Sequence, residues 1–202
     1  MKIYNSLYKT YPQIIHAPGN KKDFPLWELI QERVFLDKNE VKVNKNITII
    51  TWNNDEKTVS LLEKCLNLMG LPYLIFGKGI SRRDWVNQNK PKLLLDNFSS
   101  IKSELIVGLD AYDVVVLGDM IAVEERFKLH DCDMLYGAEL FNAPVVRNYV
   151  STFEDEIAGD YPYRYLNSGV WIGKKTLFMI FFLMRLKAAK QIIQGGEKVI
   201  NF

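Results

Sequence analysis

Cysteine is scarce: 202 residues contain two, Cys65 and Cys132. Their surroundings, LLEKCLNLMG and HDCD, have neither disulfide-framework nor zinc-ligand spacing. Two free thiols are expected, and they favour a reducing, cytoplasmic compartment. Histidine is equally rare. His16 and His130 stand in no Ser-His-Asp or Cys-His order, so hydrolytic nucleophilic catalysis has no support. A strong charge of either sign is lacking. The net charge of +2 gives no pull toward nucleic acid or an anionic membrane. Long apolar runs are missing too. The longest, LFMIFFLM at 177–184, is followed by Arg185 and Lys187. It is far short of the roughly 20 residues that cross a bilayer, and reads as a buried helix face with no membrane span. The opening MKIYNSLYKTYPQ lacks the apolar core of a secretory signal.

With 48% hydrophobic residues against 25% charged, there is enough apolar material for one sizeable core. Residues 1–46 differ from the rest. YPQIIHAPGNKKDFPLWELI carries Pro12, Pro18, Gly19 and Pro25 and reads as loop and turn. A short helix is expected from about Pro25 to Phe35, then a polar linker, DKNEVKVNKN. Regular α/β alternation begins at 47. NITIITW and LPYLIFG are buried strands. Between them, DEKTVSLLEKCLNLMG places Val59, Leu62, Leu66 and Met69 on one helical stripe that Gly70 stops. This is a βαβ unit, with parallel strands and a right-handed crossover. SRRDWVNQNKPKLLLDNF reads as a helix interrupted near Pro91. ELIVGLD and DVVVLGD read as extended, MIAVEERFKL as helix and DMLYGAEL as strand. YRYLNSGVWIGKK reads as a strand with a turn at Asn167-Ser168-Gly169, and TLFMIFFLMRLKAAKQII as a long helix. The expected fold is an α/β three-layer domain with a mostly parallel sheet.

Ligands of open parallel sheets bind beyond the carboxyl ends of the strands. Polar or small residues follow four apolar strands: Thr51 and Trp52, Gly77 to Gly79, Asp110 to Asp113, and Glu139. Asp110-Ala111-Tyr112-Asp113 is the sharpest. Two carboxylates three apart can converge on Mg²⁺ or Mn²⁺ that bridges diphosphate oxygens. Tyr112 offers a ring for a uracil to stack on. An ordinary strand-end turn with solvated aspartates fits the same residues. Asn167-Ser168-Gly169 is either a ligand-facing interruption or a plain bulge or tight turn. Gly77-Lys78-Gly79 lacks the full spacing of a phosphate loop. Lys90 and Arg83, near Trp85, can bring positive charge to a diphosphate or form a solvated helix face.

These segments, in this order, resemble the glycosyltransferase domain of the procollagen lysyl hydroxylases and its bacterial and viral relatives. They are ITIIT with Thr51, LIFGKG, VNQNKPKLLL with Lys90, LDAYDVVVLGD, YGAELFNAP with Glu139, and RYLNSGVWIG from Arg164 to Gly173. The resemblance covers about residues 47–175 and implies a GT-A-like, metal-dependent site using a UDP-sugar. It implies Asp110 and Asp113 as metal ligands for Mn²⁺ (or Mg²⁺) and Tyr112 as the ring on uracil. Thr51, Lys90 and Glu139 fall with the nucleotide donor, and Asn167 and Ser168 on the sugar and acceptor side. The function it implies is transfer of a hexose to an acceptor hydroxyl of a protein or glycan. The alternative is a catalytically inactive scaffold or binding module with the same fold. The family pattern continues with an acidic segment and closes on a His-Gly-Asn-Gly-like motif carrying a third metal ligand. Here the sequence ends at Phe202 before either, while YPQIIHAPGN, with His16, looks like that closing motif. The simplest account makes residues 1–46 the tail of a preceding domain plus a linker, and 47–202 a GT-A-like domain truncated at its C-terminal end. A circularly permuted domain that uses His16 in its own site is the second account.

Overall fold

The computed structural model describes residues 3–7, 9–19, 26–36, 41–87, 89–141 and 149–180. Its centre is β2 (Ile47–Trp52) and β4 (Leu105–Asp110), hydrogen-bonded in parallel with Ile47 opposite Leu105 and Trp52 opposite Asp110. Both segments are apolar on the two faces, as a strand covered from both sides must be. Ile47, Ile49, Leu105, Val107 and Leu109 join one core cluster, and Ile50, Trp52 and Ile106 join the other. Helices cover both faces. Trp27, Ile30 and Val34 of α1 (Trp27–Leu36), Leu62, Cys65 and Leu66 of α2 (Leu61–Leu68), and Met120 and Phe127 of α4 (Met120–Lys128) fill the first cluster. Leu94 of α3 (Asn89–Asp96) fills the second. Each such fully buried aliphatic or aromatic side chain contributes roughly 1.5–3 kcal/mol.

The five-stranded sheet runs β3-β2-β4-β7-β6, with β3 at Tyr73–Phe76, β6 at Met134–Glu139 and β7 at Tyr165–Lys174. β3, β2 and β4 are parallel, while β7 runs antiparallel to both β4 and β6. The sheet is therefore mixed rather than mostly parallel. A buried strand reads as the same apolar run in either direction, and direction is set by its connection. Trp171 of β7 lies across Gly108 of β4, where a Cβ would overlap the indole, so this glycine is required by packing.

Three other expectations change. The α2 stripe begins later, because Ser60 caps the helix and exchanges bonds with Glu63 in a capping box. Val59 is left 47% exposed. Ahead of the cap, the side chains of Asn53 and Asp55 accept bonds from nearby backbone N–H groups and hold 53–58 as a loop. Pro91 sits in the first turn of α3, where its missing N–H costs little, so it starts that helix and does not interrupt it. β7 passes through Asn167-Ser168-Gly169 without turning. Its pairing jumps from Tyr136↔Trp171 to Gly137↔Asn167, which is a bulge.

DVVVLGD forms β5 (Val114–Val116) in a separate two-stranded sheet with β1 (Ile14–His16), antiparallel, His16 opposite Val114. Ala17, Trp27, Ile30 and Val34 are buried in the same core as β2 and β4. The amino-terminal segments thus share a core with the strands that begin at Ile47. The remaining helix, α5 (Tyr149–Ala158), lies against β7. A further helix begins at 175–180, and the rest of the long helix expected there lies outside the described residues. No described helix is long and apolar enough to cross a membrane.

Candidate functional site

Everything converges on the turn that leaves β4. Asp110 is the last residue of the strand, and a turn at 111–113 leads into β5. The turn is pinned from two sides. Leu62 at the start of α2 donates its N–H to the Ala111 carbonyl at 3.0 Å, and Ala17 donates to the Asp113 carbonyl at 2.8 Å. With its backbone fixed, the turn holds both carboxylates half-buried in one cleft of about 610 Å³.

The third member is His16. Pairing of β1 with β5 brings its Nε2 to 3.6 Å from Asp113 Oδ2. The imidazole packs over Gly169, where a Cβ would overlap it. The glycine of Asn-Ser-Gly thus makes room for a histidine about 150 residues earlier in the chain. His16, Asp110 and Asp113 each offer one ligand atom, all within 4.8 Å of one another. Ligands about 2.1 Å from a common Mg²⁺- or Mn²⁺-sized ion can lie no more than about 4.2 Å apart, so a small side-chain adjustment closes the set. One imidazole beside two carboxylates suits Mn²⁺ better than Mg²⁺. The donor set therefore fits a divalent cation.

Around this trio stand Lys90, Glu139, Asn167 and Ser168, all lining the cleft. Lys90, in the first turn of α3, places Nζ 2.5 Å from Asp110 Oδ1 and 5.4 Å from the Trp52 ring centroid. Glu139 ends β6 and accepts a hydrogen bond from Asn167 Nδ2, while Asn167 Oδ1 accepts the Gly169 N–H at 2.6 Å. Burial pushes the Glu139 carboxyl above the usual glutamate range. His16 opposes that rise and Asp113 adds to it.

Two expected residues stand apart. Thr51 lies inside β2, fully buried, and its Oγ1 has no hydrogen-bond partner among the described residues. Tyr112 is not among the residues lining the cleft; it is 44% exposed, and its hydroxyl donates to Asn53 Oδ1 at 2.9 Å. Burial, then Asp55 and Glu63, push that phenol up. Asn53 is itself buried and donates to Glu63 Oε1 at 2.9 Å, and Glu63 Oε2 accepts the Ser60 N–H at 3.1 Å. Lys78, between Gly77 and Gly79, donates to the Asp55 carbonyl at 2.7 Å and pairs with Glu63 at 3.5 Å. The glycine turn therefore braces the 53–58 loop beside Tyr112. Arg83 is exposed, and Trp85 packs on Gly77.

Both cysteines are free. Cys65 is buried, its thiol pushed up to about 11 by desolvation, so it is inert. His130 is exposed and lines a separate cavity beside α4. Asn87 also lines the cleft, and no motif in the residues around it points there. His16 was visible only as part of YPQIIHAPGN, since a three-residue strand has no period to betray its partner. No family model matches the chain, and no curated protein matches it.

Proposed function

We propose that this chain is a GT-A-like glycosyltransferase domain that moves a hexose from a UDP-sugar to an acceptor hydroxyl with the help of Mn²⁺ or Mg²⁺. One observation carries the reading. An imidazole and two carboxylates bring their ligand atoms within 4.8 Å of one another, in a cleft that also holds a lysine, a glutamate and the Asn-Ser pair. A divalent cation bound there supplies charge neutralisation for a leaving diphosphate. Lys90 adds a second positive charge on the phosphate side. Asn167 and Ser168 orient sugar hydroxyls, Glu139 fixes the Asn167 amide, and Tyr112 offers its exposed ring to the uracil. The acceptor, a protein or glycan hydroxyl, enters from the open side of the cleft.

The test is UDP release from a panel of UDP-hexoses with Mn²⁺, combined with thermal unfolding in UDP plus Mn²⁺. The reading expects release that stops in a chelator and in Asp113→Asn, with stabilisation by the two ligands together. A protein that neither releases UDP nor is stabilised by the pair is a scaffold with this fold, and the reading fails.

A further inference from the structure

Lys90 and a metal ion compete for the same carboxylate. The Lys90 ammonium stands 2.5 Å from Asp110 Oδ1, and its side chain is only 12% exposed. Asp110 is also one of the three residues whose ligand atoms cluster within 4.8 Å. A divalent cation set beside a half-buried ammonium on one carboxylate meets like-charge repulsion that solvent screens poorly. Lysine is a flexible point charge on a four-carbon stem, and the cleft before it is roomy, about 610 Å³.

Building on the reading of this cleft as a cation and diphosphate site, we propose that Lys90 is an exchangeable counterion that couples the two ligands. Without ligand, the ammonium neutralises Asp110. When a diphosphate enters, the ammonium moves to a phosphate oxygen and Asp110 is released to the cation. No bond is made or broken beyond this exchange of ionic partners. The consequence is thermodynamic: cation alone binds weakly, diphosphate strengthens it, and by reciprocity the cation strengthens diphosphate to the same degree. Trp52, whose ring lies beneath the ammonium, holds the stem while the head group changes partner.

The experiment counts free Mn²⁺ by electron paramagnetic resonance during titration of the full chain, with and without UDP. In the wild type, UDP should tighten Mn²⁺ by about tenfold or more, within the usual range of coupling between sites. Lys90→Met keeps the apolar stem and removes the charge. It should bind Mn²⁺ alone about tenfold tighter than wild type, and lose most of the UDP effect. Lys90→Gln carries the same test should the methionine variant not fold. Lys78→Met, which removes the same charge from the neighbouring loop, should leave Mn²⁺ affinity unchanged. A wild-type site that binds Mn²⁺ but is no weaker than that of Lys90→Met overturns the proposal alone. So does a UDP effect that survives intact in Lys90→Met. A wild-type protein that takes up no Mn²⁺ with or without UDP overturns both the proposal and the reading beneath it.

Discussion

Two flanks of the same strand edge are built on opposite plans. On the α2 side, Asn53, Ser60 and Glu63 are buried and bonded to one another, with Lys78 closing the network from outside. On the β7 side, Asp110, Asp113 and Glu139 crowd three acids into a half-exposed cleft with one lysine and one histidine among them. The first flank is satisfied by its own residues and serves to hold a loop and a ring in place. Among the described residues, the second sets three carboxylates against one lysine and one histidine, an arrangement that costs stability unless a ligand offsets it. Internal bonding is concentrated in one flank and open charge in the other.

The sharpest way to break this contrast is to damage the satisfied flank. Glu63→Ala leaves the Ser60 N–H and an Asn53 amide proton buried without a partner, and should cost about 3 kcal/mol in urea unfolding. The same substitution in a merely solvated acid would cost almost nothing. Asp113→Asn, on the other flank, should leave the ligand-free stability unchanged or slightly higher, because it relieves repulsion. It should abolish the roughly 2–3 kcal/mol of stabilisation given by near-saturating UDP plus Mn²⁺, read as a missing shift in thermal unfolding. Tyr112→Ala should weaken UDP by about 1 kcal/mol by calorimetry, and Tyr112→Phe by less, since phenylalanine keeps the stacking face and loses only the bond to Asn53.

The smallest effect concerns pH. Glu139 is held above the ordinary glutamate value, so its stability contribution is full below that value and is lost as pH rises through the raised one. Glu124 of α4 is held below it, chiefly by hydrogen bonds from Lys128 and Asn44, so its contribution is present above the ordinary value and is lost as pH falls through the lowered one. In metal-free protein at neutral pH, Glu139→Gln should raise stability and Glu124→Gln should lower it, each by less than about 1 kcal/mol. Both differences should close on acidification.

How much of this could be read from the residues follows from what each feature depends on. ITIITW and ELIVGLD announce β2 and β4 because burial on both faces leaves an unbroken apolar run. DAYD after such a run points to the right strand end. The start of α2 is not legible because Asp55 to Val59 tolerate a helix, while the bonds that keep them as loop are made by Asn53 and Asp55 side chains. The β7 bulge cannot be told from a turn by its residues, since both want Asn, Ser and Gly. The pairing of β1 with β5 joins residues a hundred apart, and nothing in IIH names VVV as its partner. That pairing delivers His16, so the least legible contact completes the His16, Asp110 and Asp113 cluster.

His16 also offers the most direct test. With only His16 and His130 in the chain, the imidazole Cε1–H signals form a two-line spectrum with an internal control. In the presence of UDP, substoichiometric Mn²⁺ should broaden the His16 line beyond detection while the His130 line stays sharp. If both lines stay sharp, or both broaden together, His16, Asp110 and Asp113 do not share a cation and the account fails.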